Sequence, residues 1–99
     1  MKTAQDVFYK DLEVNLAAHR VSRAGHELCL TPREFALLAV LLTHCDKALS
    51  RSQLLEAAWG YAYIGESRTV DMHIRTLRKK LGDAGKYICT VRKVGYKLT

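Results

Sequence analysis

The stretch of sequence that decides the fold is RTVDMHIRTLRKKL, residues 68–81. Four apolar residues recur in it at helical spacing and form one narrow stripe: Val70, Ile74, Leu77 and Leu81. At about 100° per residue, the opposite face carries basic or neutral side chains: Arg68, Met72, Arg75, Thr76 and Lys79. Thr69 and Asp71 lie at the edges of that face, and Ser67 can cap the helix. The stretch therefore predicts a helix that packs through one side and exposes a basic face on the other.

Two further helices are predicted upstream, each from a capping signal followed by apolar residues at helical spacing. Thr31-Pro32-Arg33-Glu34 has the capping-box arrangement and begins a helix that runs to about Cys45. Ser50 and Gln53 repeat that arrangement, and Gly60 can end the second helix after Trp59. Only residues 46–49 separate the two helices, so they are expected to pack closely.

Short alternating segments flank the helices on both sides. Residues 7–12, 13–17, 20–22 and 27–30 indicate a small antiparallel sheet, with Gly25 in a hairpin turn. Residues 87–91 and 96–98 indicate two strands whose turn has Gly95 at its strained position. We therefore predict a single domain with an N-terminal sheet over 7–30, a helical core over 31–81 and a C-terminal hairpin over 87–98.

The net charge of +6 lies entirely in the second half of the chain. Residues 1–50 hold six basic and six acidic residues, whereas residues 51–99 hold ten basic and four acidic ones. Such one-sided basicity is typical of a protein that binds a polyanion, either nucleic acid or an anionic membrane surface. The alternative is a basic face that is merely solvated.

Other patterns exclude several classes of protein. The three cysteines (Cys29, Cys45 and Cys89) are widely spaced among apolar residues, which favours small buried thiols over a disulfide framework or a zinc ribbon. The histidines share no ligand spacing, so we expect neither a metal nor another cofactor. The longest apolar run, residues 35–42, is far shorter than the roughly 18 residues of a membrane span. The N-terminus is polar where a secretory signal would be apolar, so a cytoplasmic location is expected. Among possible partners, we expect no membrane.

Three helices followed by a hairpin make a winged helix-turn-helix of the α+β class. In this architecture one helix enters the major groove of DNA, and the hairpin, or wing, reaches the backbone or the minor groove. The basic face of residues 68–81 agrees with that use, as do Arg92 and Lys93 in the predicted hairpin turn.

Four strings of this sequence resemble the C-terminal DNA-binding domain of OmpR/PhoB-type response regulators. They are LTPREFALL at 30–38, SRSQLL through Trp59-Gly60 at 50–60, RTVDMHIRTLRKKL at 68–81 and TVRKVGY at 90–96. The resemblance implies a four-stranded N-terminal sheet, three helices and a C-terminal β-hairpin wing. It also implies binding to direct repeats in double-stranded promoter DNA, as a head-to-tail pair, after a receiver domain is phosphorylated on aspartate.

No receiver domain is present in these 99 residues, so we expect an expressed fragment, and the alternative is a stand-alone effector. The isolated domain is expected to be a monomer that pairs only on DNA.

Matched position by position, the resemblance implies a set of DNA contacts. The residues that would contact phosphates are Arg68, His73, Arg75 and Arg78, with Thr69 beside them. The residues that would contact base edges are Met72, Thr76 and Lys79. Trp59 and Thr90 would lie against the backbone, Arg92 would enter the minor groove beside Lys93, and Tyr96 would support the hairpin. The loop Tyr61, Ala62, Tyr63, Ile64, Gly65 and Glu66 corresponds to a segment that touches RNA polymerase in some relatives.

Two positions depart from the family's pattern. Lys93 stands where many relatives have glycine directly after the arginine. Thr76 stands where several relatives carry arginine, so a bidentate contact to guanine is lost there.

Other interpretations remain for individual residues and for the whole domain. Trp59 can be a core residue, His73 a plain surface residue, and Asp71 a favourable charge at the start of a helix. Sequence-specific DNA binding for transcriptional control is the expected function, and the alternative is a winged-helix module that meets an acidic protein. RNA binding lacks an exposed aromatic platform, and enzymatic activity lacks a nucleophile with its base or a phosphate-binding glycine loop.

Overall fold

The computed structural model describes residues 6–60 and 68–99. The predicted polymerase-contact loop, residues 61–66, and the Ser67 cap lie outside the described residues. No helix in the described part of the chain is long and apolar enough to cross a membrane.

The chain opens with a four-stranded antiparallel sheet whose strands pair in sequence order. The strands are β1 (Asp6–Tyr9), β2 (Leu12–Asn15), β3 (Arg20–Arg23) and β4 (His26–Leu28). The β3–β4 turn has positive φ at both Ala24 and Gly25, 51° and 83°, as tight hairpin turns require. This confirms the turn predicted at Gly25.

The prediction of one strand over residues 7–12 is wrong. Lys10 adopts a φ of 54° in a turn between β1 and β2, so that Tyr9 pairs with Leu12 across the hairpin. Because side chains alternate along a strand, an unbroken strand would place Leu12 on the face opposite Tyr9. The turn instead brings both to the same face, where Leu12 is buried.

Three helices follow: α1 (Pro32–Thr43), α2 (Arg51–Trp59) and α3 (Arg68–Leu81). Both predicted capping boxes are confirmed, since Thr31 and Ser50 accept from the third helical amide and Glu34 and Gln53 accept from the cap amide in return. Gly60 ends α2 with a φ of 96°.

A three-stranded sheet closes the fold, in the order β5, β7, β6. Its strands are β5 (Leu49–Ser50), β6 (Ile88–Val91) and β7 (Gly95–Leu98), and a 3-10 helix over Gly82–Tyr87 joins α3 to β6. We call the β6–β7 hairpin the wing. The two-residue β5 and the 3-10 helix were not predicted from the sequence.

The predicted role of Gly95 is wrong. The residue with positive φ in the wing turn is Lys93, at 66°, and the turn is closed by the Val94 amide donating to the Val91 carbonyl at 3.0 Å. Gly95 lies in β7 opposite Ser50. A Cβ atom there would lie 2.0 Å from the Leu49 carbonyl oxygen, so Gly95 is needed for the close approach of β5.

One apolar core joins both sheets to the three helices. The core residues predicted in α1 and α3 are confirmed as buried: Phe35, Leu38, Val70, Ile74, Leu77 and Leu81. Leu12, Val14, Leu54 and Leu98 complete it from β2, α2 and β7.

The prediction that all three cysteines are buried is wrong. Cys29 is exposed, and Cys45 and Cys89 are only half-buried. Cys29 follows β4 directly and lies between Leu28 and Leu30, which both pack against the core. The alternation of side chains in this extended segment therefore leaves Cys29 facing solvent.

Candidate nucleic-acid interface

Helix α3 has the two faces that its sequence predicts. Its apolar stripe is fully buried, while the five residues of the opposite face are exposed. Met72, in the middle of that face, is 66% exposed, a large value for an apolar side chain. The helix therefore offers solvent a face with basic groups around an apolar centre.

A buried carboxylate fixes α1 against that exposed face. Glu34 is only 2% exposed, and its Oε2 accepts from the Thr76 hydroxyl at 2.5 Å. Its Oε1 accepts from Lys80 Nζ and from the Thr31 amide, both at 2.8 Å. Burial opposes ionisation, but the bonds from Lys80, Thr76 and Thr31 outweigh it and hold the pKa of Glu34 at about 2. Lys80 is thus neutralised by an internal carboxylate.

The acidic residue at the edge of the α3 face is also neutralised internally. Asp71 Oδ1 lies 2.7 Å from Arg51 Nε and accepts from the Tyr96 hydroxyl. Partial burial opposes its ionisation, yet the bonds from Tyr96 and Arg51 lower the pKa of Asp71 below its usual value. Asp71 therefore joins α2, α3 and β7, which is more than the favourable helix charge considered from the sequence.

Arg78 attaches α3 to the wing. Its Nε and Nη2 donate to the Ile88 carbonyl oxygen at 3.2 and 2.8 Å, and Nη2 also donates to Thr90 Oγ1 at 2.9 Å. The guanidinium lies 5.4 Å from the centre of the Tyr96 ring, and Arg51 lies 5.6 Å from the same ring. Two guanidinium groups therefore fix the buried Tyr96, and with it the base of the wing.

Trp59 and His73 form a second contact between α2 and α3, besides that of Arg51 with Asp71. The two rings meet edge to face with centres 4.9 Å apart, and His73 Nδ1 lies 2.9 Å from the Thr69 carbonyl oxygen. Arg33 donates Nη1 to the Ala58 carbonyl at 2.7 Å and lies 5.4 Å from the centre of the Trp59 ring. Arg33 was not among the predicted site residues, since nothing in the pattern around it signals a partner 26 residues away.

The wing tip consists of exposed side chains. Arg92, Lys93 and Val94 are all exposed, and neither Arg92 nor Lys93 forms an ion pair with any described residue. Their charges are therefore not neutralised within the described part of the fold.

The family described as "Transcriptional regulatory protein, C terminal" matches residues 25–98. This chain belongs to that family. It is an OmpR/PhoB-type winged-helix DNA-binding domain, as the sequence motifs predicted.

Relatives of known sequence and structure agree with this assignment. The chain is 46% identical over 90 residues to the transcriptional regulatory protein YkoG of Bacillus subtilis, covering 89% of this chain and 40% of that protein. It is 41% identical over 99 residues to ResD of the same organism, covering 96% of this chain and 41% of ResD. The chain therefore spans about two-fifths of the length of these curated relatives.

Among solved structures, the RstA DNA-binding domain of Klebsiella pneumoniae in complex with the RstA box superposes with a TM-score of 0.84. It is 32% identical and covers 96% of this chain and 97% of that one. The winged-helix fold class is thus confirmed.

In this OmpR/PhoB-type domain the predicted contact residues divide by exposure. The exposed ones lie on α3 and along the wing: Arg68, Met72, Arg75, Thr76, Lys79, Thr90, Arg92 and Lys93. Trp59, Thr69, His73 and Arg78 are half-buried, and each makes contacts within the fold. Tyr96 is 5% exposed. Its side chain therefore packs inside the fold, and its hydroxyl donates to Asp71.

Proposed function

We propose that this domain regulates transcription by binding double-stranded promoter DNA, with α3 in the major groove and the wing at the neighbouring minor groove. The observation that carries the proposal is the exposed basic face of α3, whose acidic neighbour, Asp71, is neutralised by Arg51. A helix in the major groove must present positive charge to phosphates and a few side chains to base edges.

Within α3 we assign two kinds of contact. Arg68 and Arg75 approach phosphates, with His73 and Thr69 beside them, whereas the centre of the face reads bases through Met72, Thr76 and Lys79. Met72 suits contact with the methyl group of thymine, because it is apolar and exposed.

On the wing, Arg92 carries the proposed contact to the minor groove. A guanidinium gains most in a narrow A·T-rich groove, where the negative potential is strongest. Lys93 and Thr90 add contacts to the backbone. We assign Arg78 the task of positioning the wing, because two of its three nitrogen atoms donate within the protein. Trp59 and Tyr96 support α2 and the wing.

As part of a longer response regulator, the domain would follow a receiver domain whose phosphorylation drives pairing on direct repeats, with loop 61–66 available to RNA polymerase. The domain would act in the cytoplasm, where bacterial promoters lie. We expect the isolated domain to sediment as a monomer at tens of micromolar and to pair only when a duplex with two half-sites is added.

The test compares two substitutions on α3, using a duplex selected from a random pool and a scrambled duplex of the same composition. Arg75→Ala should weaken binding to both duplexes alike, because a phosphate contact carries no sequence information. Met72→Ala should reduce affinity for the selected duplex only. Equal losses on both duplexes for both variants would contradict the assignment, and failure of the domain to bind any duplex would refute the proposed function itself.

A further inference from the structure

The proton of the Thr76 hydroxyl is already engaged within the protein. Two polar atoms lie within hydrogen-bond distance of Thr76 Oγ1: Glu34 Oε2 at 2.5 Å and the His73 carbonyl oxygen at 3.0 Å. Both atoms are acceptors, and a hydroxyl has only one proton to donate. Whatever approaches Thr76 from solvent therefore meets an oxygen that can accept but has no proton to give.

The environment of Glu34 keeps this arrangement in place. The other carboxylate oxygen, Oε1, already takes Lys80 Nζ and the Thr31 amide, and the residue is almost fully buried. The pKa of Glu34, about 2, keeps the group ionised at neutral pH, so it cannot donate to Thr76. Glu34 on α1 therefore fixes the direction of the Thr76 hydrogen bond together with the His73 carbonyl oxygen of α3.

We propose that Thr76 reads DNA as a hydrogen-bond acceptor only and thereby selects adenine or cytosine at the base that it faces. These two bases offer an exocyclic amine in the major groove, at N6 of adenine and N4 of cytosine. Guanine offers only the acceptors N7 and O6, and thymine offers the acceptor O4 with a methyl group. This inference rests on the proposed placement of α3 in the major groove.

The variant Glu34→Gln tests the direction of the hydrogen bond. Since Lys80 and the Thr31 amide are both donors to Oε1, the carbonyl oxygen of the new glutamine side chain must remain on their side, and its amide nitrogen must face Thr76. The amide would then donate to one lone pair of Oγ1, and the Thr76 proton would leave residue 34 for the His73 carbonyl oxygen or for an acceptor on the DNA. Glutamine also preserves the capping box. Glu13→Gln is the matched control, because it removes the same charge from an exposed position on β2, which is part of the other sheet.

Two variants of Thr76 locate the base. Thr76→Val removes the hydroxyl while keeping the side chain's shape, and Thr76→Ser keeps the hydroxyl and removes the methyl group. Fluorescence anisotropy is measured for each protein on the selected duplex and on every single base-pair change of it. The position that Thr76 faces is the one whose preference changes in Thr76→Val, and circular dichroism shows whether each variant is folded.

At that position the wild type should prefer adenine or cytosine by about five- to tenfold, the value of one hydrogen bond. Where adenine is preferred, replacing it by unsubstituted purine, which lacks only the N6 amine, should abolish the preference. Thr76→Ser should retain this preference and Thr76→Val should lose it. Glu34→Gln should narrow the preference by at most about fivefold, because the His73 carbonyl oxygen still competes for the Thr76 proton, and Glu13→Gln should leave the preference unchanged.

A wild-type preference for guanine or thymine at that position would overturn the proposal, as would no preference at all. In these cases sequence-specific binding to the selected duplex would still stand, so the proposed function survives. A domain that selects no duplex would refute both.

Discussion

Replacing Gly95 by alanine should separate β5 from β7 and release the wing from the helical core. The added Cβ would lie 2.0 Å from the Leu49 carbonyl oxygen and 3.0 Å from Ser50 Cα, whereas ordinary van der Waals contacts of a Cβ lie at 3.4–4 Å. The two strands must therefore move apart by about 1 Å, which is incompatible with their pairing at Leu49 and Ser50. Strain of about 1–3 kcal/mol, together with about 1 kcal/mol for each of roughly two hydrogen bonds lost between β5 and β7, predicts a loss of about 3–5 kcal/mol in unfolding free energy.

The assay is urea denaturation followed by circular dichroism, which reports the unfolding free energy of a small two-state domain. Gly25→Ala is the matched control. Gly25 has a φ of 83° but nothing within 4 Å of an added Cβ, so alanine there should cost only the roughly 1–2 kcal/mol of a left-handed conformation. If Gly95→Ala is no more destabilising than Gly25→Ala, the close approach of β5 does not constrain the wing and our reasoning is wrong.

Three further predictions concern the charges and the wing. Because the pKa of Glu34 is about 2, below its ordinary 4.5, its ionised form should contribute about 3 kcal/mol of stability at neutral pH, and this contribution should be lost progressively between about pH 5 and pH 2. Between pH 6 and pH 3 the unfolding free energy should therefore fall more for the wild type than for Glu34→Gln, and equal decreases would contradict the prediction. Lys93→Gly should raise the unfolding free energy by about 0.5–1 kcal/mol because Lys93 has a φ of 66°, and an unchanged or lower value would show that the turn is not strained. Arg92→Ala should cost about 1–3 kcal/mol of binding free energy on a site with an A·T-rich flank. The same change should cost less than half as much in an Arg78→Lys background, because lysine keeps the charge but loses the paired donors to the wing. If the binding losses of the two single variants simply add in the double variant, the positioning role of Arg78 is refuted.

Sequence reasoning succeeded where the signal is local and repeated. The capping boxes of α1 and α2 and the apolar stripe of α3 depend on residues within one or two turns of each other, so their geometry follows from helical spacing. Sequence reasoning failed where a residue is required by a strand that is distant in the sequence. The sequence suggests a turn at Gly95 because glycine favours turns. In the fold, glycine is required there because the backbone of Leu49, 46 positions earlier, passes too close for a Cβ atom.

The candidate site shows the same division. The exposed face of α3 follows from periodicity alone, since each residue's direction depends only on its position along the helix. The neutralisation of Asp71 by Arg51 and the commitment of Thr76 to Glu34 join residues 20 and 42 positions apart. Such pairs depend on how α1 and α2 pack against α3, which no spacing rule within one helix can predict.

The most direct test of the central claim is the affinity of the domain for duplex DNA as a function of salt. If α3 and the wing neutralise about four to six phosphates, log K against log salt should fall with a slope of roughly −4 to −5. A duplex selected from a random pool should also bind more tightly than its scrambled counterpart at every salt concentration. A slope near zero with no preference for the selected duplex would contradict the account, and tight binding to an acidic protein under the same conditions would identify the basic face as a protein-interaction surface.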